Sequence, residues 1–189
     1  MNTLNIPYTI KPVKSHTKIK EDLLTEIQNS EGKILSQTDN YYSDNISKYD
    51  WHLNMDFNRP WVKFFEPYLK NELLETIEHF GFSDYYLKVI WYQQYSKGGT
   101  HGWHTHSDNY TGVYYLEMSE ESPKTQIVNP TNHNEIIDLD VKEGDIVLFP
   151  SFVIHRAPIN SSVKRKTIIS FDINFADIKK DLLSELRKK

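Results

Sequence analysis

The chain contains no cysteine. Disulfides, thiolate metal sites and thiol nucleophiles are therefore excluded together. No apolar run approaches the ~20 residues of a membrane-spanning helix, and the N-terminal Met-Asn-Thr-Leu-Asn-Ile-Pro has no basic-then-apolar signal pattern. The expectation is a soluble, cytoplasmic chain with no membrane partner. Charge of one sign is lacking as well: the net charge is −4 with both signs interspersed, so no nucleic acid or other polyanion is expected as an obligatory partner. Glycine and proline are sparse, with seven and eight among 189 residues, and there is no internal repeat, heptad array or low-complexity tract. Aromatic residues, at 13%, are plentiful enough for the core of one compact domain.

The pattern changes from helical to β along the chain. Thr17 reads as an N-cap, with Ile19, Leu23, Leu24 and Ile27 on one helical face. Residues 39–56 are rich in Asn, Asp, Ser and Tyr and read as a long loop, whose Tyr41, Tyr42, Tyr49 and Trp51 are candidate lid or substrate contacts. Pro60 suits the first turn of a helix, and Pro67 is expected to restart it as a second one, with Leu73, Leu74, Ile77 and Phe80 apolar and a stop at Gly81. Strands are expected over 85–95, 102–106, 110–118, 124–128, 135–139, 145–149 and 165–175. Short strands at near-regular spacing suggest a sandwich or jelly roll. The expected layout is a single domain: 1–84 as mostly helical and loop support, 85–175 as the β core, and 176–189 as a C-terminal helix with Leu182, Leu183 and Leu186. The fold class is mainly β with flanking α-helices.

Two histidines, His104 and His106, flank Thr105, and a third, His155, closes the run Asp145-Ile-Val-Leu-Phe-Pro-Ser-Phe-Val-Ile-His155. Side chains two apart on a strand project from one face, so His104 and His106 can bind one metal ion together, with His155 completing the site. Ten residues further on, Arg165 opens the last strand. Its planar fork of donors suits two-point contact with a carboxylate. His101 and Trp103 read as packing neighbours of the pair, and no catalytic residue beyond the metal ligands is singled out.

These residues resemble a known group. The His104-x-His106 strand, the Gly112-Val-Tyr-Tyr-Leu116 strand, the Phe149-Pro-Ser-Phe-Val-Ile-His155 segment and the Arg165-x-Thr-Ile-Ile-Ser-Phe171 strand look like the Fe(II)- and 2-oxoglutarate-dependent oxygenases, and closest to a branch found in bacteria and phages. The resemblance covers roughly residues 86–175. It implies a double-stranded β-helix of jelly-roll, cupin-like form, Fe(II) and 2-oxoglutarate as cofactors, and a dioxygenase, more narrowly a hydroxylase. By the same resemblance Arg165 binds the distal carboxylate of 2-oxoglutarate, helped by Thr167 and by Tyr115, while Gln93 and Tyr95 line the pocket.

The chain departs from the superfamily's usual His-x-Asp or His-x-Glu followed by a distant His. One assignment takes His106, Asp108 and His155; the other takes His104, His106 and His155, with Asp108 in the turn Ser107-Asp108-Asn109. Three neutral ligands would leave the ion more positive than two histidines and a carboxylate. A cupin-like metal-binding protein, or an oxygenase that does not use 2-oxoglutarate, is the alternative. The prime substrate, a peptidyl side chain or a small molecule, is not identified by the sequence, and an exposed strand edge makes a homodimer one expectation.

Overall fold

The computed structural model describes residues 7–38 and 43–186. Three helices, α1 (His16–Asn29), α2 (Pro60–His79) and α3 (Lys180–Leu186), accompany eleven strands. The strands are β1 (Thr9–Pro12), β2 (Lys33–Thr38), β3 (Ser43–Tyr49), β4 (Tyr85–Tyr95), β5 (His101–His104), β6 (Tyr110–Glu117), β7 (Gln126–Val128), β8 (Ile136–Asp138), β9 (Asp145–Pro150), β10 (His155–Ala157) and β11 (Lys166–Phe175). They form a seven-stranded sheet in the order β1-β9-β6-β11-β4-β3-β2 and a four-stranded sheet in the order β5-β10-β7-β8. The pairings between named strands are antiparallel.

Alternation along the long central strands divides the core in two. Ile169, Phe171 and Ile173 of β11 join Ile90 and Tyr92 of β4, Tyr110 and Tyr114 of β6, and Ile146 and Leu148 of β9. Against this outer face pack Ile19, Leu23 and Ile27 of α1 and Trp61, Phe65, Leu69, Leu73 and Ile77 of α2. Neighbouring positions on the same strands, Ile168, Tyr95, Val113, Tyr115, Val147 and Phe149, point the other way and meet Ile127 and Ala157 from the smaller sheet and Val153 from the turn before β10. The inner space between the sheets is where polar residues collect.

Several local expectations are corrected. Residues 1–84 do more than support the core: β1, β2 and β3 belong to the large sheet. The stretch expected as a long loop holds β3 and a short 3-10 turn at Trp51–Leu53; its polar side chains hid a strand that pairs through its backbone with β2 and β4. Tyr41 and Tyr42 lie outside the described residues. Helix α1 starts at His16 rather than after Thr17. Helix α2 runs unbroken through Pro67, which is exposed, so water can reach the carbonyl that the missing N–H leaves free. No described helix is long and apolar enough to cross a membrane.

Candidate metal centre

The short strand β5 ends on His104, and its partner β10 begins on His155 directly across from it in register. His106 follows two residues later, its backbone N–H bonded to the carbonyl of Ser151 at 2.9 Å. The three imidazoles each offer a nitrogen, and these atoms all lie within 4.8 Å of one another. Asp108 is not in this group; its Oδ1 accepts a hydrogen bond from Asn174 at 2.9 Å. The structure thus gathers three histidines rather than two histidines and a carboxylate.

The other ring nitrogen of each histidine is already engaged. His104 Nδ1 meets the carbonyl of Gly102 at 2.7 Å, His155 Nδ1 that of Val153 at 2.9 Å, and His106 Nδ1 the carboxylate of Asp172 at 2.8 and 2.9 Å. Carbonyl and carboxylate oxygens only accept, so each Nδ1 carries the proton and each Nε2 keeps its lone pair. That is the tautomer a metal ligand needs. Burial first, then the neighbouring histidines, push His104 down to about 2, and burial pushes His155 down to about 3. Both rings are therefore held neutral and ready to donate.

Around the triad the walls are aromatic. Trp91 stacks on His106 with ring centres 5.6 Å apart, and Trp51 stacks on Trp91 at 6.2 Å. Just before Trp51 in the chain, Asp50 is a buried carboxylate that binds the Arg59 guanidinium, the Trp61 indole N–H at 2.8 Å and the backbone N–H of Tyr92 at 2.8 Å. His101 sits 4.1 Å from the His104 ring and bonds Asp44 through Nδ1 at 2.8 Å. Trp103 lies under the Arg156 guanidinium at 4.4 Å. A cavity of about 420 Å³ opens onto this side, lined by Trp51, Asn54, Trp91, the His104–His106 segment and Asp172.

On the inner side the histidines border a second, tight space of about 20 Å³, lined by Trp91, Gln93, Tyr95, Thr125, Ile168 and Ser170 among others. Three buried polar atoms on β4 have no hydrogen-bond partner among the described residues: Trp91 Nε1, Gln93 Nε2 and the Tyr95 hydroxyl. Leaving such groups unmet is costly, and each is the kind of donor a polar ligand satisfies. Tyr115 faces the same interior and donates to Thr125 Oγ1 at 2.7 Å.

Arg156 of β10 borders this tight space, and the large sheet's inner face adds a buried basic residue, Lys166, one position beyond the arginine singled out in the sequence. Lys166 pairs in register with Tyr95, lies 5.5 Å from the Tyr115 ring centre and donates to the Pro123 carbonyl at 2.7 Å. Burial pulls its ammonium down to about 7, and no described carboxylate pairs with it. Arg165 instead sits on the helix side, its Nε bonded to Glu117 at 2.8 Å and its Nη1 near Gln28 of α1 at 3.4 Å. Thr167 shares that side, donating to Glu117 at 2.7 Å. Arg165 and Thr167 are thus not brought to the histidines, whereas Gln93 lines the space beside them and Tyr115 faces the same inner core. Lys166 and Asp172 were missed by the sequence reading, although their even spacing with Ile168 and Ser170 was the available signal.

No protein-family model matches the sequence, and no curated protein does. Solved structures match it in fold. An oxidoreductase of the 2OG-Fe(II) oxygenase family from Burkholderia pseudomallei is 9% identical, with a TM-score of 0.68 over 91% of this chain and 87% of that one. A prolyl-4-hydroxylase from Pseudomonas putida is 10% identical, with a TM-score of 0.61 over 91% and 94%. HygX from Streptomyces hygroscopicus, solved with nickel and 2-oxoglutarate bound, is 12% identical, with a TM-score of 0.64 over 90% and 84%. The likeness is one of fold, and the double-stranded β-helix expected from the sequence is the architecture this chain adopts.

Proposed function

We propose that this protein is an Fe(II)- and 2-oxoglutarate-dependent dioxygenase that hydroxylates a peptidyl or small-molecule substrate. The observation that carries the reading is the convergence of His104, His106 and His155 with every Nδ1 occupied elsewhere. Ferrous iron accepts imidazole donors, and a three-residue set leaves positions for further ligands. When bound, iron and cosubstrate would supply the coupling of 2-oxoglutarate decarboxylation to insertion of oxygen into a C–H bond.

The chain's own residues divide the remaining work. Lys166 is our candidate for the distal carboxylate of 2-oxoglutarate, in place of Arg165, because a buried cation without an anion is stabilised by acquiring one. The Tyr95 hydroxyl and Gln93 Nε2, both without partners, would add donors to the same oxygen atoms, and Tyr115 would wall the pocket. The prime substrate would enter from the wider mouth, where Trp51 and Trp91 offer flat apolar surface and exclude water.

The tightness of the inner space, about 20 Å³, favours a second reading, a cupin-like metal protein or an oxygenase that works without 2-oxoglutarate. A space of that size holds about one water, so a five-carbon diacid enters only if side chains yield. Anaerobic titration with Fe(II) and then 2-oxoglutarate separates the two. Growth of a weak visible charge-transfer band that is lost in Lys166→Met supports the dioxygenase. Bound metal with no band supports the second reading.

A further inference from the structure

The three histidines are not equivalent in what stands behind them. His104 and His155 lean on backbone carbonyls, which are neutral. His106 alone leans on a charged group, with both oxygens of Asp172 within 2.9 Å of its Nδ1. Asp172 is 5% exposed, and its only ion-pair partner among the described residues is His106. The Thr111 hydroxyl donates to Asp172 Oδ1 at 2.8 Å and is itself 2.9 Å from Ser151 Oγ. Thr111 lies across from Asp172 in register, so the carboxylate is aimed by two strands of the central sheet.

A buried carboxylate with no lysine or arginine beside it is costly unless positive charge arrives from elsewhere. Three neutral imidazoles around a divalent ion have the opposite need, since they leave its charge unbalanced. We propose that Asp172 is the carboxylate of this metal centre acting at one remove: a positioning residue that fixes His106 with Nε2 toward the ion and supplies, through the ring, the negative charge that a direct carboxylate ligand would give. The inference rests on the metal-centre reading of the preceding subsection. It deepens that reading by accounting for a ligand set that contains no acid.

Two roles of Asp172 separate by substitution. Asp172→Asn keeps an acceptor oxygen for the His106 N–H but removes the charge, while Asp172→Ala removes both. Titrating the full chain with Co(II) alone, Asp172→Asn is expected to bind roughly 10-fold more weakly and Asp172→Ala roughly 100-fold more weakly, with the visible Co(II) bands shifted in both. Apo-protein circular dichroism and Tm report folding separately. If either variant fails to fold, Thr111→Val leaves the carboxylate in place but unanchored, and a two- to ten-fold loss is expected, below or at the low end of the same range. Folded variants that bind Co(II) within two-fold of wild type, with unshifted bands, would overturn the inference while leaving the metal centre intact. Wild-type protein that binds no Co(II) would overturn the metal reading itself.

Discussion

The two faces of the seven-stranded sheet use the same strands for opposite ends. On the outer face, β11 sends Ile169, Phe171 and Ile173 into a dry contact with α1 and α2. Even the charged residue just before it, Arg165, is matched there by Glu117. On the inner face the same strand presents Lys166, Ser170 and Asp172, all buried, opposite Tyr95, Trp91 and Thr111. The outer face stores stability through apolar burial. The inner face gives some of it up to hold a lone ammonium and unpaired donors, as functional sites commonly do.

The contrast is tested most severely at the ligands. His155→Ala should remove metal binding and lower any metal-dependent turnover by more than about 1,000-fold, while circular dichroism of the apo protein stays unchanged; a variant that still binds iron stoichiometrically would break the assignment. Next comes the pair at the start of β11. Lys166→Met should weaken 2-oxoglutarate by roughly 100-fold, the scale of a lost charged partner, and raise the apo Tm by several degrees because a lone buried cation is gone. Arg165→Met should change cosubstrate affinity by less than two-fold. A reversed outcome would return the role to the arginine.

Lys166 also sets a pH dependence. Its folded-state value of about 7 lies below the ordinary 10.5, so between these values the anion-free folded protein holds fewer protons than the unfolded chain. Its stability should then rise with pH across that window. Cosubstrate affinity should move the other way, falling above about pH 7 by up to tenfold per unit, as isothermal titration would show. A smaller effect belongs to the outer face. A Cβ at Gly112 would lie 2.0 Å from Phe171 Cζ, so Gly112→Ala should cost about 1–3 kcal/mol in urea unfolding without altering metal affinity. Least of all, Tyr95→Phe removes an unpaired hydroxyl and should stabilise the apo protein by about 1 kcal/mol.

Much of this division was legible in the residues. Short strand-like runs at near-regular spacing located β4, β6, β9 and β11, and helical periodicity located the buried faces of α1 and α2, because their apolar side chains meet a core. The i, i+2 histidines and the distant third were legible as a group, although the strand expected to carry both ends at His104, and His106 is placed beyond it by its N–H bond to Ser151. Counting ten residues from His155 reaches Arg165 and misses Lys166, because the face of β11 is decided by its pairing with β4 and β6. A shift of one residue exchanges the two faces. Asp172 was hidden inside the strand Ser-Phe-Asp-Ile-Asn, where its partners, His106 and Thr111, come from segments distant in sequence. β3 was obscured because few of its side chains are buried, leaving backbone pairing as its chief support.

One consequence of the stacked ring path from Trp51 through Trp91 to His106 is optical. A paramagnetic ion at the three histidines would sit against an indole pair that reaches from the surface to a ligand ring. Emission from that pair should be quenched on loading, while Trp61, packed on the far face of the sheet, should continue to emit. The protein thus carries a built-in fluorescent gauge of occupancy, with a reference lamp on the other side of the same sheet.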